Sequence, residues 1–97
     1  MTLQEITAEV TESVKSAPIT GKTIKLQLDE GVVFIDLRQD PGVVSNDDAD
    51  ADAVVTTTLD TLEKLGTRET NPMMAIMTGK IKIKGDMGAA LALQAIL

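Results

Sequence analysis

The chain has 97 residues, with nine basic and fifteen acidic side chains and a net charge of −6. It holds no Cys, His, Trp or Tyr, which excludes disulfides, thiolate or Ser–His nucleophiles and imidazole metal sites. The acidic excess and a single Phe argue against nucleic acid and against an anionic membrane as partners. The length suits one domain over residues 1–97. The start, Met1-Thr2-Leu3-Gln4-Glu5, is acidic and has no long apolar run behind it. No stretch approaches the roughly 18–20 apolar residues that span a bilayer. The expectation is a cytosolic chain without stable membrane insertion.

Residues 2–16 predict an amphipathic helix. Thr2 with Glu5 fits a capping box, and Leu3, Ile6, Val10 and Val14 recur at helical spacing. Residues 22–29 alternate, with Ile24, Leu26 and Leu28 on one face of a strand. A turn at Asp29-Glu30-Gly31 leads into a second strand, Val32 to Arg38, which closes a hairpin. In that strand Val33, Ile35 and Leu37 face one way, and Val32, Phe34 and Asp36 the other. After Gln39-Asp40-Pro41-Gly42 comes a short strand, Val43 to Ser45, then an acidic loop over 46–52. Ala53 to Thr58 is β-branched and predicts a fourth strand, with all four expected to run antiparallel. Leu59 to Leu65 is helical, with Gly66 as its stop. Asn71-Pro72 caps a short helix, Met73 to Thr78, ended by Gly79. Lys80 to Lys84 alternates as a fifth strand, Ile inward and Lys outward, and Asp86 caps a last helix from Met87 to Leu97. The order α-β-β-β-β-α-α-β-α predicts an α+β domain, a five-stranded, mainly antiparallel sheet covered on one face by helices.

Motifs for covalent chemistry fail on inspection. Gly21-Lys22-Thr23 has Ser16 where a phosphate loop needs Gly, and a helix precedes it where a strand should. Asp47, Asp48, Asp50 and Asp52 lack the Gly and final Glu of a calcium loop, which leaves a solvated acidic loop. No pair of carboxylates is set for acid–base work. The expectation is a domain that is not an enzyme, with no metal and no cofactor.

The informative stretch runs from Pro72 to Leu97. It holds four of the five Met, and from Met87 onward it carries no charge. Met adapts to irregular gaps and to flexible ligands. A helix apolar all round must be covered on more than one side. A bound apolar ligand or a second copy of the chain would supply that cover.

The run Asn71-Pro72-Met73-Met74-Ala75-Ile76-Met77-Thr78-Gly79-Lys80-Ile81-Lys82-Ile83-Lys84-Gly85-Asp86-Met87-Gly88, continuing to Leu91-Ala92-Leu93-Gln94, resembles the signature of the sterol carrier protein 2 domain family. The upstream order of elements agrees. The resemblance implies a sheet and helices around an apolar tunnel, with non-catalytic binding or transfer of a fatty acid, acyl-CoA, phospholipid or sterol. Carried over by position, it implies a wall of Met73, Ile76, Met77, Ile81, Ile83, Met87, Leu91 and Gln94, with Gln94 as a polar contact. Phe34 joins these candidates because family members often carry an aromatic residue there. The chain stops at Leu97, short of the stretch that closes the tunnel in many members. It is therefore expected to have an open end or one closed by a partner copy. A bulky sterol fits this short chain less well than an acyl chain. The alternative is an interaction module that uses the same apolar C-terminal surface to form a homodimer or to dock on an enzyme.

Overall fold

The computed structural model describes residues 2–17, 19–39 and 42–92, without the side chains of 66, 72 and 91. The elements are α1 (Leu3–Val14), β1 (Thr23–Leu28), β2 (Gly31–Asp36), β3 (Val43–Ser45), β4 (Ala53–Thr56), α2 (Leu59–Gly66), α3 (Pro72–Met77), β5 (Lys82–Gly85) and α4 (Met87–Leu91). The α+β order read from the sequence is the observed one. The expected continuation of the last helix over 93–97 lies outside the described residues.

Local chemistry starts each helix where the sequence says. The Oγ1 of Thr2 accepts from the Glu5 N–H, Thr58 from Thr61, Asn71 from Met74 and Asp86 from Ala89, at 2.8–3.1 Å. Each bond satisfies a donor that a helix start leaves free. One stop differs. Gly66 is the last residue of α2, and the left-handed position falls on Arg68 at φ 65°. The Arg68 N–H donates to the Leu65 carbonyl and the Glu69 N–H to Lys64, closing the helix end. A non-glycine residue therefore takes the position that glycine usually fills.

The sheet order is β3-β2-β1-β4-β5. Three pairings are antiparallel, and β1 pairs with β4 in parallel. The antiparallel run expected through four strands thus holds only through β3. Asp52 ties the two strands together at this exception. Its carboxylate accepts from the Thr23 N–H at 2.9 Å and from the Thr23 hydroxyl at 3.2 Å, while its own N–H donates to Thr23 Oγ1 at 3.0 Å. These bonds set the start of β4 beside the start of β1.

Residues 46–52 must cross from one edge of the sheet past two strands. Three strand spacings are about 14 Å, which seven extended residues reach easily. The crossing passes over the face away from the helices, where the Lys25 Nζ meets Asp48 Oδ1 at 2.9 Å. The acidic loop is solvated, with 46–50 and 52 exposed, and Asp48 and Asp52 also pin it to the sheet. Among the described residues no three acidic groups converge on a cation position.

The core lies on the other face. Ile24, Leu26, Val33, Ile35, Ala53 and Val55 are buried there, and the helices add Ile6, Val10, Val14, Leu59, Leu62, Ala75, Ala89 and Ala90. Small Ala residues on α4 let its backbone approach β4 and β1 closely. At the far end of β2, Arg38 clamps Asp36 with Nε at 3.0 Å and Nη2 at 2.9 Å. The side-chain bonds from Arg38, then its backbone N–H, lower the Asp36 carboxyl from 3.8 to about 2. Because the folded value lies below the unfolded one, the stability it adds is present above pH ~4 and is lost as pH falls through ~2. Arg38 is open to solvent, so Asp36→Asn is expected to cost about 1 kcal/mol at pH 7. Urea unfolding of both proteins across acidic pH should show that gap close as pH drops toward the folded value.

Candidate functional site

α3 is a six-residue helix, too short to persist without docking. Its start is held by the Asn71 side chain, which accepts from Met74 N–H at 2.8 Å, and by Pro72 in the first turn. Its end turns at Gly79, φ 78°. There the Lys80 and Ile81 N–H groups donate to the Ala75 carbonyl at 2.8 and 3.1 Å. The Thr57 hydroxyl donates to the Lys80 carbonyl at 2.9 Å, which ties this turn to the end of β4.

Among the described side chains of α3, only Ala75 enters the core, at 0% exposure. With about 100° between successive residues, a helix anchored on one small side chain points its neighbours outward. In most surface helices those outward positions are polar. Here they are Met73, Met74, Ile76 and Met77, with Met73 67% and Met77 75% exposed. Met87, in the first turn of α4, is also exposed at 55%. β5 separates Met87 from α3, a four-residue strand about 13 Å long.

The residues named from the sequence thus fall into separate groups. Met73, Ile76 and Met77 are open to solvent on α3, and Met87 is open to solvent on α4 beyond β5. Ile81 is buried and Ile83 half-buried, both against the core beneath. Phe34 stands apart: it pairs with Lys25 and Ser45 on the sheet face away from the helices, whereas Ile83 pairs with Val55 on the core face. The side chain of Leu91 and all of Gln94 lie outside the described residues. Met74, in the same run of Met, is exposed on α3 as well.

The frame around the surface is fixed by Gly85 and Asp86. The Asp86 N–H donates to the Asp52 carbonyl at 2.8 Å. The Ala89 N–H, and then Lys22 with Nζ at 3.1 Å, hold the Asp86 carboxyl below the usual carboxylate range. Lys22 is raised in turn by Asp86. An open groove along α1, of about 540 Å³, is lined by Leu3, Gln4, Thr7, Ala8, Thr11 and Asn46, among others. It shares no residue with the apolar surface. Among the described residues no helix is long and apolar enough to cross a membrane.

Residues 3–97 match the profile of the SCP-2 sterol transfer family. Hydroxysteroid dehydrogenase-like protein 2 of Xenopus laevis is 38% identical over 88 residues, covering 89% of this chain and 21% of that protein. The chain spans about a fifth of the length of the first curated relatives it matches. Among solved structures, sterol carrier protein 2 from Yarrowia lipolytica in its apo form superposes with a TM-score of 0.67 at 28% identity, covering 95% of this chain and 76% of that one. Sterol carrier protein 2 like 2 from Aedes aegypti shares the fold, with a TM-score of 0.74 at 21% identity and 93% of each chain covered. A match that runs from α1 through the sheet to the Met-rich helix and beyond makes this chain a member of the SCP-2 sterol transfer family.

Proposed function

We propose that this domain is a non-catalytic carrier of apolar lipids and takes an acyl chain against Met73, Ile76, Met77 and Met87. The observation that carries this is the outward face of α3, where apolar side chains stand in positions that usually hold polar ones. Membership of a sterol transfer family supports the class of cargo. Flexible Met side chains suit a flexible chain better than a rigid ring system. Each buried methylene contributes about 0.8 kcal/mol, so a long acyl chain reaches roughly micromolar affinity after the cost of immobilising it. The span from α3 to Met87 along β5 is one that an extended acyl chain bridges.

Native mass spectrometry of gently purified protein, with titration of a fluorescent fatty acid, tests this. Co-purifying lipid and saturable 1:1 binding are expected. A lipid-free protein that shows no saturable binding would overturn it. So would a dimer whose mass ligand does not change, since a second copy would then own the surface.

A further inference from the structure

One kind of side chain in this protein changes readily under a mild oxidant. The chain holds no Cys, Trp or Tyr, so the Met thioether carries that chemistry alone. Four of the five Met lie between residues 73 and 87. All four are more than half exposed, Met73, Met74 and Met77 on α3 and Met87 on α4. Among the described residues the core holds none: its members are Ile, Leu, Val and Ala. Met is the usual filler of irregular cores, yet this core is packed without it. The bonds that fix α3 run from the Asn71 side chain and through the Ala75 carbonyl, so they survive a change at sulfur. The sulfurs therefore stand where a small oxidant reaches them and where packing does not depend on them.

We propose that oxidation of Met73, Met74, Met77 and Met87 by a hydroperoxide is a reversible switch that releases apolar cargo and leaves the fold intact. The inference rests on reading these methionines as the cargo surface, and adds how that surface is regulated. In the step, a thioether sulfur attacks one peroxide oxygen. An S–O bond forms as the O–O bond breaks, and the sulfur gives up two electrons. The departing oxygen takes the proton of the transferred one and leaves as water from hydrogen peroxide, or as an alcohol from an organic hydroperoxide. A flexible apolar side chain becomes a polar sulfoxide. A thioether costs little to cover with an acyl chain, whereas a covered sulfoxide oxygen needs a hydrogen-bond donor that an acyl chain lacks. The change thus acts on cargo, while a buried Met would have acted on stability. Sulfoxide reductases, one for each epimer at sulfur, restore the thioether and close the cycle.

The test treats purified protein with hydrogen peroxide and locates the added oxygen by peptide mapping. A fluorescent fatty acid is titrated before oxidation, after it, and after incubation with both sulfoxide reductases. All four residues should gain an oxygen. Affinity should fall at least about tenfold and return on reduction. Tm should move by less than about 5 °C throughout. The variant Met73→Leu/Met74→Leu/Met77→Leu/Met87→Leu, compared with its own untreated form, should be indifferent to peroxide. It retains Met1, and so controls for oxidation there. The reductase arm decides the question if that variant loses cargo outright. Oxidised protein that binds as tightly as the reduced form overturns the switch and leaves the carrier function standing. A binding loss that comes with a larger fall in Tm, or that persists once the sulfoxides are reduced, also overturns it. Reduced protein that binds no fatty acid removes the carrier function and the switch with it.

Discussion

Met73→Gln/Met77→Gln should unfold within about 3 °C of the parent, yet bind a fluorescent acyl chain at least tenfold more weakly. Gln matches Met in length and helix propensity, so α3 loses little. Both methionines are mostly exposed, so the folded protein gains almost nothing from them. Their apolar area is removed from water only when a ligand covers it, worth about 1 kcal/mol each, or roughly thirtyfold together. Calorimetry and fluorescence titration read the two effects separately. Most substitutions that abolish function do so by destabilising the fold; here the two are expected to part. If binding stays intact, the cargo lies elsewhere and the proposed face is wrong.

Gly85→Ala should show the opposite, a large loss of stability from one methyl group. Gly85 sits at φ 91°, where a Cβ is strained in any surroundings. A Cβ there would also run into the carbonyl oxygen of Asp52, which is backbone and cannot swing aside. That carbonyl is the acceptor for the Asp86 N–H, and Asp86 caps α4 and pairs with Lys22. Strain, clash and a displaced cap together should cost about 3 kcal/mol or more, a fall in Tm of roughly 12–24 °C. Differential scanning calorimetry measures it. A loss below about 1 kcal/mol would mean that β4 and β5 slide apart freely and that the C-terminal frame is soft.

Much of this was legible in the residues because it is local. The caps at Thr2, Thr58, Asn71 and Asp86 need only a side chain and a backbone N–H three residues on. The hairpin from β1 to β2 and the alternation of Ile24, Leu26 and Leu28 follow from strand geometry and a tight turn. The Met-rich signature stood out as composition. The end of α2 was less legible, since Gly66 carries the usual signal while Arg68 takes the left-handed turn.

Pairing and exposure are another matter. Nothing local says that Asp52, one acid in a solvated loop, would reach back twenty-nine residues to Thr23, at the start of the strand that β4 joins in parallel. Alternation told which side chains of β2 share a face, but only the register with β1 and β3 shows which face the helices cover, and so removes Phe34 from the Met group. The methionines of α3 could equally have filled a core. Their number and spacing came from the sequence, whereas their exposure came from Ala75, the one described α3 side chain that the core takes in. The sequence by itself therefore determined the elements, their caps and the concentration of soft apolar residues near the C-terminus. The tertiary structure decided that the methionines of α3 face outward, because the direction of a side chain depends on which neighbour its helix docks against.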